Sequence, residues 1–164
     1  MPYFNIVAET SENTVVTEYE PVKKRSDSYQ SEAALEQEFI RLLCEQGYEY
    51  LPIHTEKDLI ANLRNKLEEL NNYQFSDTEW DDFFKNAVAN PNEHIVEKTR
   101  KMQEDNVQVL TRDDGSSKNI TLIDKKNIHN NRLQVINQYV IGTENGAKHD
   151  NRYDVTVLVN GLPL

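Results

Sequence analysis

The sequence predicts an α+β fold in which helices pack on a largely antiparallel or mixed sheet. Two observations carry this. Between Ser31 and Gln103 apolar residues recur every three or four positions, whereas from Val107 onward the dominant period is two. The helical segments come first and the strands follow as a run, unlike the alternation of a doubly wound parallel sheet. The chain's 164 residues suffice for one domain with a core, and no internal repeat is visible.

Residues 1–30 read as an arm with some strand character, centred on the β-branched run Thr14-Val-Val-Thr17. The cluster Lys23-Lys-Arg25 reads as a solvated surface, with phosphate contact as the alternative. Ser31 to Gln46 is a helix: Ser31 is a suitable N-cap, Leu35, Phe39, Leu42 and Leu43 form a stripe, and Gly47 can stop it in the left-handed conformation. Glu32 and Glu36 lie one turn apart on one face beside that stripe. A solvated first turn explains both; an acidic group aimed at a site on a sheet is the sharper reading. Thr55 to Leu70 is a second helix, with Thr55 and Asp58 as a variant capping box and Leu59, Ile60, Leu63, Leu67 and Leu70 on its buried side. Ser76-Asp-Thr-Glu79 is a full capping box for a third, carrying Trp80, Phe83, Phe84 and Val88 and ending before Pro91. These aromatics share one periodic face, as core residues do. Asn92 to Gln103 is a fourth helix.

Val107–Leu110 and Ile120–Ile123 flank the loop Asp113–Ser117 as a hairpin, Leu133–Ile141 is a longer strand, and 142–151 is a polar connection. The final strand begins near Tyr153, with Tyr153, Val155, Val157 and Val159 alternating with Asp154, Thr156 and Leu158. Asn160-Gly161 tolerates positive φ at both central positions, as a type I′ turn requires, so Leu162-Pro163-Leu164 should begin a return strand. The residue opposite Asp154 would then fall beyond Leu164, and we expect a piece of a longer protein.

Composition narrows the function. Lys and Arg number 18 against 28 Asp and Glu, a net charge of −10, which argues against this chain gripping DNA by itself. A carboxylate-based nuclease site is compatible with it. No apolar run approaches a bilayer span, and the N-terminus lacks a signal-peptide pattern. The single cysteine, Cys44, suits a reducing cytoplasm. His54, His94, His129 and His149 lack metal-ligand spacing, so zinc is not expected. No nucleophilic triad or glycine-rich phosphate loop is present, so ATP binding is not expected either.

Asn130-Asn-Arg-Leu-Gln-Val-Ile-Asn-Gln-Tyr-Val-Ile141, Arg152-Tyr-Asp154 and Val157-Leu-Val-Asn-Gly-Leu-Pro-Leu164 together resemble the N-terminal domain of the restriction (R) subunit of type I restriction–modification enzymes. Ser31 to Tyr48 fits its early helix, and the likeness runs from about Glu12 to the end. The Val-Asn-Gly-Leu-Pro-Leu segment is the most specific part. The resemblance implies a restriction-endonuclease-like fold of the PD-(D/E)xK type, with 31–164 as the N-terminal part of the endonuclease domain, incomplete at the C-terminus. It places Asp154 on the first acidic position, with Tyr153 where the motif has proline, and Glu36, in preference to Glu32, on the helix position. The Glu-x-Lys motif would follow Leu164, and an ATP-driven motor would lie further on.

Asp154 and Glu36 are therefore the candidate catalytic residues and Mg²⁺ ligands. Phosphodiester hydrolysis needs an activated water and compensation of developing charge, which a carboxylate-held Mg²⁺ supplies. The implied partners are DNA and the modification and specificity subunits, with no membrane. The implied function is DNA cleavage by the parent enzyme, the isolated chain being inactive. The alternative is a non-catalytic docking module of a DNA-translocating complex. Gln138 is open to a DNA contact, a neighbouring-loop contact or an inward cross-strand hydrogen bond.

Overall fold

A computed structural model describes the backbone of residues 3–9, 15–20, 31–141 and 151–163, with side chains over 31–139 and 154–163. The Lys23–Arg25 cluster, the connection at 142–150, His149 and the side chain of Tyr153 lie outside the described residues. The chain divides into two compact units, Met1–Ser31 and Glu32–Leu164. The first contains the antiparallel pair β1 (Tyr3–Glu9) and β2 (Val15–Glu20). The sequence signalled β2 through its β-branched run; the aromatic and β-branched run Tyr3-Phe-Asn-Ile-Val7 of β1 is a comparable signal, although the expected strand character centres on the later run alone.

The second unit is α+β. Its helices are α1 (Glu32–Glu45), α2 (Glu56–Asn71), α3 (Asp77–Phe83), which runs on into a π-helical turn Phe84–Val88, and α4 (Ile95–Gln103). Its strands are β3 (Glu49–Tyr50), β4 (Val107–Thr111), β5 (Ser117–Thr121), β6 (Leu133–Ile141), β7 (Asn151–Val159) and β8 (Leu162–Pro163). Four strands form a mixed sheet in the order β3-β6-β7-β8, in which only the β3–β6 pair is parallel. The hairpin β4–β5 is a separate sheet.

Several local signals act as the sequence predicts. Gly47 stops α1 at φ +93°. The Thr55 hydroxyl accepts the Asp58 N–H at the start of α2. At α3 the Ser76 hydroxyl accepts the Glu79 N–H, and the Glu79 carboxylate accepts the Ser76 N–H. Three expectations change. α4 starts at Ile95 rather than Asn92, and Ile95 and Val96 are exposed. The second strand of the hairpin occupies Ser117–Thr121, three residues before the expected Ile120–Ile123, because the tight turn at Gly115 (φ +79°) closes the loop early. Of the α1 stripe only Leu43 is buried; Leu35, Phe39 and Leu42 are 53%, 49% and 41% exposed. The main contacts of α1 are with β3 and β7, and they leave the outer side of the stripe uncovered.

The larger core joins Leu63 and Leu67 of α2, Phe75, Trp80 and Phe83 around α3, Leu110, Ile120 and Leu122 of the hairpin region, and Leu162 of β8. A smaller one joins Ile53, Ile136 and Leu158, with Leu59 of α2 and Tyr139 against it. The sheet face bearing Gln134, Ile136 and Leu158 thus turns to α2. On that face Gln134 is fully buried and exchanges amide hydrogen bonds with Asn62 of α2.

Candidate active site

The return turn after β7 sets the register on which the site depends. Asn160 and Gly161 adopt φ +52° and +82°, the signs a type I′ turn needs. Gly161 is required a second time by space, since a Cβ there would lie 2.6 Å from the Leu63 Cα. Asn160 is buried and saturated. Its amide donates to the Leu122 carbonyl (3.0 Å) and to Asn131 Oδ1 (2.8 Å), and its Oδ1 accepts the Arg132 N–H (2.8 Å). Asn131 also closes a loop with Asp124, accepting its N–H and donating to its carbonyl. The Asn-Gly and Asn-Asn parts of the motif are thus architectural: they pin β7, β6 and the 122–132 loop together. A one-residue slip would reverse every side chain of a strand, so this latch fixes what faces what.

In that register Leu133 pairs with Val159, Asn137 with Val155 and Tyr139 with Tyr153, which sets Gln138 opposite Asp154. The ladder is regular on both sides of this position but not at it. Gln138 has φ +52°, a left-handed conformation that costs a non-glycine residue energy in the middle of a strand. Its effect is visible in the packing. Ile136 and Tyr139 are three residues apart and belong on opposite faces of an unbroken strand. Both pack in the Ile53–Leu158 cluster instead. The left-handed residue has shifted the alternation by one.

Glu36 arrives from α1. It is half-buried, and its Oε1 accepts the Asn137 side-chain N–H at 2.6 Å. The Gln138 amide points to both oxygens at 3.5 Å, a long and weak contact. Asn137 is held from its other side, its Oδ1 accepting the Tyr50 hydroxyl at 2.8 Å. Glu32, one turn earlier, is exposed; the carboxylate that meets the sheet is Glu36. Asp154 is exposed at its position on β7. Gln138, which lies across the ladder from Asp154, makes only this long contact to Glu36, and no hydrogen bond joins Asp154 to Glu36 among the described residues. Gln138 itself bonds toward α1. Sequence reasoning gave Asn137 and Tyr50 no role. The signal available was Asn137's place in the family motif, but nothing in the sequence couples it to Tyr50 or Glu36.

Among the described residues, Glu36 and Asp154 included, no group of three His, Cys, Asp or Glu side chains converges as a metal site. The described histidines, His54, His94 and His129, are exposed. Glu79 is a buried carboxylate outside the candidate site. Burial pushes its pKa up, but the Tyr73 hydroxyl, the Ser76 and Asp113 N–H groups and the charge of Arg112 outweigh burial and hold it below the usual range. Its role is to cap α3 and tie it to the hairpin. Burial, aided by the nearby Glu56, raises the Tyr139 hydroxyl.

Comparison with known proteins agrees with the motif and the fold. The family described as type I restriction enzyme R protein N terminus matches residues 29–164. The chain is 45% identical over 159 residues to the type I restriction enzyme EcoprrI endonuclease subunit of Escherichia coli, covering 96% of this chain and 50% of that protein. It is 34% identical over 141 residues to the SsaAORF53P endonuclease subunit of Staphylococcus saprophyticus, covering 83% of this chain and 14% of that protein. It is 36% identical over 142 residues to the SauMSSORF170P endonuclease subunit of Staphylococcus aureus, again 14% of that protein. The chain thus spans half or less of the length of these relatives. The restriction-endonuclease-like α+β unit belongs to the N-terminal domain family of type I restriction enzyme R proteins.

Proposed function

We propose that residues 31–164 supply part of the DNA-cleaving site of a type I restriction enzyme, with Asp154 and Glu36 as its acidic residues. The observation that carries this reading is the hydrogen bond that holds Glu36 to β6 at Asn137, one residue from Gln138, which lies across the ladder from Asp154. The donor set suits Mg²⁺, which takes hard oxygen ligands and often only one or two carboxylates, with water completing its shell. Glu36 Oε1 is anchored by Asn137, while Oε2 has only the long Gln138 contact among the described residues. Asp154 is open to water. Bound there, Mg²⁺ would supply an acidified water and compensation for charge developing on the phosphate. The protein's own part is to hold two carboxylates in fixed positions and to keep one oxygen of Glu36 directed by amide donors. DNA and the modification and specificity subunits are the proposed partners. ATP use belongs to motor segments outside this chain, and the cytoplasm is the proposed location. No helix among the described residues is long and apolar enough to cross a membrane.

A docking module is the second reading, and the exposed Leu35, Phe39 and Leu42 on the outer side of α1 favour it. One experiment separates the two. Asp154→Ala in the reconstituted enzyme should lower plasmid cleavage by orders of magnitude, since each ~1.4 kcal/mol of lost transition-state stabilisation is a factor of ten. ATP hydrolysis should stay near the wild-type rate. Retained cleavage would remove Asp154 from the chemistry. Joint loss of both activities in a folded, assembled enzyme would favour docking.

A further inference from the structure

We infer that Tyr50, Asn137 and Gln138 form a positioning cradle that holds the Glu36 carboxylate for its ligand role; this rests on the reading of Asp154 and Glu36 as metal ligands. A glutamate in the first turns of a half-exposed helix has several rotamers open to it, and a metal ligand must select one. Here the selection is made from the sheet. The Asn137 amide has one donor end and one acceptor end. Its acceptor is committed to the Tyr50 hydroxyl (2.8 Å), so its donor end is turned to Glu36 Oε1 (2.6 Å). Tyr50 lies on β3 and Asn137 on β6, the two strands that pair in parallel, so the relay runs across that pairing.

Gln138 completes the cradle by breaking the strand. In extended backbone its side chain would fall on the α2 side with Gln134 and Ile136. At φ +52° its amide instead reaches the Glu36 carboxylate, and Tyr139 drops into the α2-side cluster. A local strain that redirects one amide toward a carboxylate, opposite a second acidic residue, has a positional purpose. Residues that hydrogen-bond a ligating carboxylate orient it, and their loss typically costs about 10–100-fold in metal affinity. Tyr50, Asn137 and Gln138 touch neither metal nor substrate in this account; they act through Glu36.

The test is Mn²⁺ binding followed by electron paramagnetic resonance, in the full restriction subunit that carries this chain. Asn137→Ala should weaken binding about 10–100-fold. Tyr50→Phe, which removes one oxygen from an exposed residue, should weaken it several-fold with the circular dichroism spectrum unchanged, and serves if Asn137→Ala fails to fold. In a Glu36→Gln background either substitution should change affinity by less than about twofold, because the group it positions is gone. Equal losses in both backgrounds would show a merely structural role and overturn the cradle. So would wild-type affinity in folded Asn137→Ala or Tyr50→Phe. Asp154→Asn separates the two levels. If it too leaves Mn²⁺ affinity intact, the metal-site reading itself fails; if it weakens binding while the cradle variants do not, only the cradle fails.

Discussion

Asn160 and Gly161 sit side by side in one turn and are needed for different reasons. Gly161 is needed because a Cβ would strike the α2 backbone and because φ is +82°. Strain and overpacking each cost about 1–3 kcal/mol, so Gly161→Ala should destabilise by roughly 3 kcal/mol in urea unfolding. Asn160 is needed for its hydrogen bonds. Asn160→Ala leaves the Leu122 carbonyl and the Arg132 N–H without their partner, at about 1–3 kcal/mol each, and a loss near 3 kcal/mol is expected. Gln138 should behave in the opposite sense. Left-handed backbone costs an L-residue about 1–2 kcal/mol, of which glycine's extra chain entropy takes back roughly 0.5–1. Gln138→Gly should therefore be as stable as wild type, or up to about 1 kcal/mol more so. A clear loss of stability would show that the side chain contributes more to folding than the strain costs.

The start of α3 shows how far an element can be foreseen. Its capping box was legible because Ser and Glu at that spacing satisfy orphan N–H groups by local geometry alone. That Glu79 also accepts from Tyr73 and from the Asp113 N–H was not legible, because those partners come from a preceding loop and a distant hairpin. The linkage has a measurable sign. The folded-state pKa of Glu79 is lowered, with the Tyr73 hydroxyl, two N–H donors and Arg112 overriding burial. Its stabilisation is full above the ordinary carboxylate value of about 4.3 and is lost as pH falls through the lower folded value. Glu79→Gln should destabilise the unit at pH 7, and the gap from wild type should close in that acid range. A gap independent of pH would show that the ionised carboxylate is not what stabilises α3. The helix α1 shows the converse limit. Its period was correct, yet periodicity does not report how much surface is available to cover a stripe, and Leu35, Phe39 and Leu42 remain exposed. The return turn was legible in full because Asn-Gly carries its own conformational preference.

At the scale of the whole molecule, the chain is acidic, while the proposed function requires action on a polyanion. With 28 acidic against 18 basic residues, the isolated chain should give no gel shift with duplex DNA at about 0.15 M salt. Tight, salt-resistant binding would contradict the assignment of DNA grip to other parts of the enzyme. The four helices and the later run of strands were readable from the change of period, but β1 and the short β3 between α1 and α2 were not. Glu36 and Asp154 stand out in the sequence as candidates, whereas Tyr50 and Asn137 do not, since their convergence needs the β3–β6 pairing, which has no local sequence signature. The most direct measurement is a crystal structure of the restriction subunit containing this chain, grown with Mn²⁺ and read by anomalous scattering. One peak is expected at Asp154, at roughly 2.1 Å from its carboxylate, with Glu36 bound to the same ion directly or through one water. A peak held elsewhere, or one on Asp154 with Glu36 turned away from it, would contradict the pairing of these two residues.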